Sequence, residues 1–132
     1  MSLITLDALK AGLPFDSKDV EIEGVGTFRV RVFTGAQRDE AARFFLDEAR
    51  KTNLGLYYGE YKRLIVRLSL CDESGAALLP SDTPEQLKES DEILKRLPNP
   101  VLEKLHEEAV AINGLGKDAV DDAAKNSVAG QT

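Results

Sequence analysis

Two short stretches that alternate apolar and polar side chains, joined by glycines, constrain this chain most. Val20-Glu21-Ile22-Glu23 runs into Gly24-Val25-Gly26, and Thr27-Phe28-Arg29-Val30-Arg31-Val32-Phe33 follows. A period of two gives each strand one buried face and one wet face. The glycines supply the turn, so the segment reads as a β-hairpin. Val20 and Ile22 on one strand and Phe28, Val30 and Val32 on the other face the core. Glu21 and Glu23 share the wet side with Arg29 and Arg31, where opposite charges across the strands help to fix the register.

The rest of the chain reads mainly as helix. Thr5 and Gly12 bracket a short N-terminal helix whose Leu6 and Leu9, with Leu13, are expected to pack on the core; Pro14 stops it. Thr34-Gly35-Ala36-Gln37 fits a capping box and opens a helix to about Lys51, with Ala41, Phe44, Phe45 and Ala49 on its apolar face. Asn53-Leu54-Gly55 breaks it. Tyr57, Tyr61, Leu64, Ile65 and Leu68 follow helical spacing across four turns, which favours helix over strand for Tyr57 to Leu70. Asp72-Glu73-Ser74-Gly75 is a turn. Thr83 caps and Pro84 opens a helix to about Arg96, with an interruption near Ser90 left open. Pro98-Asn99-Pro100 breaks the chain and restarts it as a helix. Val101, Leu105, Ala109 and Ile112 share one face of that helix, and Asn113-Gly114 ends it.

These elements give an α+β fold, with an N-terminal β-hairpin packed on a mainly helical domain over residues 1–114. Residues 115–132 carry few large apolar side chains and read as a flexible C-terminal tail, with one turn capped by Asp118 and running through Ala124. A chain of 132 residues fits one domain with one core. Cys71 is its single cysteine, so no intrachain disulfide forms. No apolar run approaches the roughly 20 residues needed to span a bilayer. The N-terminus lacks a basic segment followed by an apolar one. The expected location is the cytosol, with no membrane partner.

The formal charge is −6, unevenly placed. Residues 28–67 hold nine Arg and Lys against five Asp and Glu, whereas residues 81–113 hold four against eight. The overall sign argues against non-specific nucleic-acid binding, which neutralises phosphates. Two readings stay open: the split suits oriented contacts between protein chains, including self-association, or it marks ordinary solvated helix faces.

Fragments that look catalytic fail on inspection. His106-Glu107 begins like a zinc-protease helix, but the second ligand position holds Val110. One histidine and one cysteine do not build an ordinary zinc site, and His106, on a charge-rich helix, is expected to be solvated. Gly24-Val25-Gly26 leads into a strand, so no helix N-terminus receives a pyrophosphate. Gly116-Lys117 lacks both the first glycine and the magnesium-binding hydroxyl of a phosphate loop, since Ala111 and Asp118 stand there. Cys71 closes an apolar run and reads as a packed, inert thiol. The acid pairs lie in helices, where neighbouring side chains diverge. No catalytic residue, metal ligand or cofactor site emerges, and the chain reads as a non-enzyme.

The order of features resembles another class of protein. The Arg29-Val30-Arg31 strand precedes the Leu64–Leu70 run, which leads into Cys71-Asp72-Glu73-Ser74-Gly75. Pro84-Glu85-Gln86-Leu87 follows, then Asn99-Pro100-Val101-Leu102-Glu103-Lys104-Leu105, Ile112-Asn113-Gly114-Leu115 and Lys125-Asn126-Ser127. In order and spacing this resembles the tail assembly chaperones of long-tailed bacteriophages, over roughly residues 20–127. The resemblance implies a protein of the host cytoplasm that binds the tape measure protein, a long helical apolar chain. It also implies help in recruiting tail tube subunits, absence from the finished virion and, in many phages, a longer frameshifted form.

An amphipathic client needs an apolar groove rimmed by charge. Phe44 and Phe45, with Leu46, and the cluster Tyr57, Tyr58 and Tyr61 are the candidate contacts, with Arg29 and Arg31 as basic ones. Adjacent aromatics on a helix do not share one direction, which leaves two outcomes open: one ring of each pair exposed, or both half-buried in the core. The competing readings are an adaptor or oligomerisation domain that associates through opposite charge patches, an acidic DNA mimic, and an enzyme. The basic stretch argues against the mimic, and no residues support the enzyme.

Overall fold

The computed structural model describes residues 2–115. The C-terminal features expected at Asp118 to Ala124 and at Lys125-Asn126-Ser127, with the tail beyond residue 115, lie outside the described residues. A three-stranded antiparallel sheet packs against helices, as the α+β reading requires.

The hairpin comprises β1 (Ser17–Ile22) and β2 (Gly26–Arg31), with Val20 opposite Phe28 and Asp19 opposite Arg29. Gly24 turns the chain at φ 79°, a backbone region that L side chains rarely adopt. This register corrects the expected charge pairing. Thr27 faces Glu21, and Arg29 instead meets Asp19, its Nε donating to Oδ1 over 2.7 Å. The bond holds the Asp19 carboxyl below its ordinary range. Arg31 lies on the outer side of the sheet but is buried, because Phe15 folds over it and lies 4.1 Å from the guanidinium.

Helix α1 (Leu6–Ala11) forms with the expected Thr5 cap, but its leucines do not reach the core. Leu6, Leu9 and Leu13 are all about half exposed or more. Helical spacing establishes that they share a face, and nothing in it supplies a partner for that face.

Helix α2 (Gly35–Leu46) opens on the complete capping box between Thr34 and Gln37. It ends five residues before the expected Lys51. The Asp47 carboxylate accepts the Ala49 N–H over 3.1 Å and starts a 3-10 helix, Glu48–Thr52. Such side-chain bonds compete with α-helix continuation. Asn53 then caps α3 (Leu54–Ser69), which settles the Tyr57–Leu68 run as helix. Leu70–Cys71 follows without a loop as β3, paired with β2.

Helix α4 (Pro84–Lys95) is continuous through Ser90, whose hydroxyl donates outward to the Pro80 carbonyl at 2.7 Å. Helix α5 (Asn99–Ile112) buries Val101, Leu105 and Ala109, as its periodicity implies. Leu115, assigned above to the tail, still packs on the core and donates its N–H to the Val110 carbonyl.

Helix α3 lies at the centre. Its Val66, with Leu70 beyond its end, packs with Val20, Val30, Leu94 and Leu105 between sheet and helices. Ile65 and Leu68 pack with Ala41 and Ala109 between α2 and α5. Burying each such aliphatic side chain contributes about 1.5–3 kcal/mol. Among the described residues no helix is long and apolar enough to cross a membrane.

Candidate functional site

The end of α2 and the start of α3 bring five aromatic rings into one cluster. The early stop of α2 leaves Phe44 and Phe45 in its last turn, and the Asn53 cap sets Tyr57, Tyr58 and Tyr61 in the first turns of α3. Tyr57 is the buried centre. Its hydroxyl donates to the Phe45 carbonyl at 3.1 Å, joining the two helix ends. Its ring stacks on Phe44 at 5.4 Å and meets Tyr58 edge-on at 5.3 Å. Tyr61 lies 5.9 Å from Phe45 and 6.0 Å from Phe44. Burial pushes the Tyr61 phenol above its ordinary pKa, Tyr57 adds to this, and Arg38 opposes it.

The outer members of each aromatic pair are the exposed ones. Phe45 is 51% and Tyr58 59% exposed, whereas Phe44 and Tyr61 are half-buried. Leu46, Leu54 and Leu56 are exposed at the same helix ends and extend the apolar surface. Leu46 was legible beside Phe45. Leu54 and Leu56 were not, because the sequence marked that stretch only as a break. Lys51 lies 5.3 Å from the Phe45 ring and Arg50 4.6 Å from the Phe44 ring, so basic groups edge the patch.

Arg29 and Arg31 do not join this cluster; they sit in the sheet. Arg29 is engaged by Asp19, and Arg31 is covered by Phe15 with its Nε buried and without a partner.

A second concave feature runs along α3 between α2 and α4, with a volume of about 640 Å³. Phe44, Leu64 and Leu87 supply its apolar contacts. Arg63 and Arg67 lie deep in it with side chains 16% and 10% exposed. Their spacing of four residues on one helix face is visible in the sequence, but their burial depends on α2 and α4.

The single histidine corrects the sequence reading. His106 is half-buried rather than solvated, and its Nε2 is buried without a partner. Burial lowers its pKa from the ordinary 6.5; Lys62 lowers it further and Glu103 opposes. Cys71 is buried as expected, and burial raises its thiol pKa while Arg31 and Arg29 oppose. No group of three or more His, Cys, Asp or Glu side chains is placed to hold a metal ion among the described residues.

No family model, curated protein or solved structure matches the chain.

Proposed function

We propose that this chain is a non-catalytic binding protein whose client is an apolar helical segment of another protein, held on the aromatic patch at the ends of α2 and α3. The observation that carries this reading is the division of labour among the rings. Tyr57 is buried and bonded to the Phe45 carbonyl, while the Phe45 and Tyr58 rings stand exposed, Tyr58 against Tyr57 and Phe45 against Tyr61. Exposed aromatics on a locked base offer large contact area at small entropic cost.

The residue order that resembles phage tail assembly chaperones names the client as the tape measure protein. On this reading the chain keeps that long apolar helix soluble in the host cytoplasm and helps to bring tail tube subunits to it. Arg50 and Lys51 edge the patch but are each paired with carboxylates of this chain, so the rings rather than the charges carry the contact.

The test is co-expression with the tape measure protein. Phe45→Ser and Tyr58→Ser are expected to abolish co-purification while the circular dichroism spectrum stays native. Unchanged co-purification by the doubly substituted protein would reject the patch as the client site.

A further inference from the structure

The groove between α2 and α4 differs from the aromatic patch in chemistry, and its charge balance is lopsided in a particular way. Four carboxylates line it, and each is already engaged. Glu40 accepts from Arg67, Asp47 and Glu60 from Arg50, and Asp91 from Arg63, with Lys95 also close to Asp91. Arg43 on the α2 rim and Lys88 on the α4 rim have no carboxylate partner among the described residues.

The floor adds to this surplus. A guanidinium carries five N–H donors in a fixed fork. Arg63 uses its Nε on Asp91 at 2.7 Å, and Arg67 uses one Nη on Glu40 at 3.4 Å. None of their remaining nitrogens is both fully buried and without a partner, so the donors not used in these two bonds keep some access to solvent.

Shape narrows the occupant. Helix α3 packs against α2, α4 and α5, but its sector between α2 and α4 stays uncovered. A rod laid there would rest on Phe44, Leu64 and Leu87 and meet a cation on either side. Helices pack with axes about 8–10 Å apart, so side chains of one helix face suffice to fill such a sector.

We propose that this groove is a second docking site and that its occupant is an acidic amphipathic helix of a partner protein. Its apolar stripe rests on Leu64 and Leu87, and its flanking carboxylates pair with Arg43 and Lys88 on the rims and with Arg67 below. A nucleic-acid strand fits less well, because its evenly repeated phosphates would meet the four carboxylates, whereas a helix can set an apolar stripe on Leu64 and Leu87 and place its carboxylates only at Arg43, Lys88 and Arg67.

The test uses the full chain and two fluorescein-labelled helical peptides. One has a leucine stripe flanked by glutamates, and its counterpart has every glutamate replaced by lysine. Neither contains tape measure sequence, so this experiment and the co-purification above fail independently. In fluorescence anisotropy at low salt the glutamate peptide is expected to bind at least about tenfold more tightly than the lysine peptide. Binding should weaken in ~0.3 M salt, where the Debye length is short.

The double variant Arg43→Glu, Lys88→Glu should lose at least about tenfold in affinity, a loss of interfacial charge pairing. Both positions are exposed, and circular dichroism will verify the fold. Phe45→Ser with Tyr58→Ser should leave peptide binding unchanged. The proposal is overturned by equal binding of the two peptides, by no binding of the glutamate peptide, or by indifference to the Arg43 and Lys88 substitutions. Equal capture of a short single-stranded DNA would assign the cations to phosphate, and a wild-type dimer dissociated by Arg43→Glu would assign the groove to a second copy. Either result also overturns it.

Discussion

Asn113 clamps the backbone of Phe33 across 80 residues of sequence. Its Oδ1 accepts the Phe33 N–H at 2.7 Å, while its Nδ2 donates to the carbonyls of Arg31 and Ala109. One side chain thereby joins the exit of β2 to the end of α5. Asn113→Ala should destabilise the fold by about 1–3 kcal/mol, since it leaves part-buried backbone groups unpaired. Urea denaturation will show a lower midpoint with an unchanged slope.

The aromatic cluster should divide cleanly into structural and surface members. Tyr57→Ala is expected to cost about 3–5 kcal/mol, the range for truncating a buried aromatic. Tyr57→Phe removes only the bond to Phe45 and should cost about 1 kcal/mol. Phe45→Ser and Tyr58→Ser should each stay within about 0.5 kcal/mol of the parent. Denaturant titration of the four variants gives the ranking. A Phe45→Ser protein as unstable as Tyr57→Ala would place that ring in the core.

His106 should make stability pH-dependent near neutrality. Its pKa is depressed in the folded chain, chiefly by burial, so the unfolded chain binds its proton more readily. Stability therefore rises with pH through this window and is lost as pH falls from the ordinary 6.5 toward the folded value. His106→Gln should flatten the thermal midpoint between pH 7.5 and about 5.5. Glu103, held down chiefly by its bond from Lys62, and Glu108, held down by those from Lys18 and Lys104, act at lower pH. Their stabilising contribution is present above the ordinary carboxyl range and disappears below it. Both windows are readable in one melting series.

Cys71 should react slowly with Ellman's reagent in the native protein and quickly in denaturant. It is 3% exposed, and burial keeps the thiol protonated, whereas the thiolate is the reactive form. Native-state labelling as fast as that of free cysteine would contradict the packing of β3.

What the sequence revealed was local chemistry. The Thr34–Gln37 box and the Thr83-Pro84 start depend on neighbours within one turn, and both helices begin where those residues place them. That Phe44 and Phe45, and Tyr57 and Tyr58, point different ways was legible because adjacent positions on a helix diverge by about 100°, but which ring of each pair is buried was not. Features assembled from distant segments were hidden. Arg31 is covered by Phe15, His106 is half-buried, and β3 is two residues long with no alternation to display. The groove needs α2, α3 and α4 together, and only its Arg63–Arg67 spacing was visible beforehand. Leu6 and Leu9 show the converse failure: amphipathic spacing was present without a core to meet it.

The direct passage from α3 into β3 has a mechanical consequence. Sixteen residues of helix make a strut about 24 Å long. The aromatic patch lies at its first turns, and the sheet is stitched to its last residue with no intervening hinge. A pull applied to the patch along this axis would pass both into the side chains packed around α3 and into the backbone pairing of β3 with β2, so the cluster is tied to the core and the sheet at once.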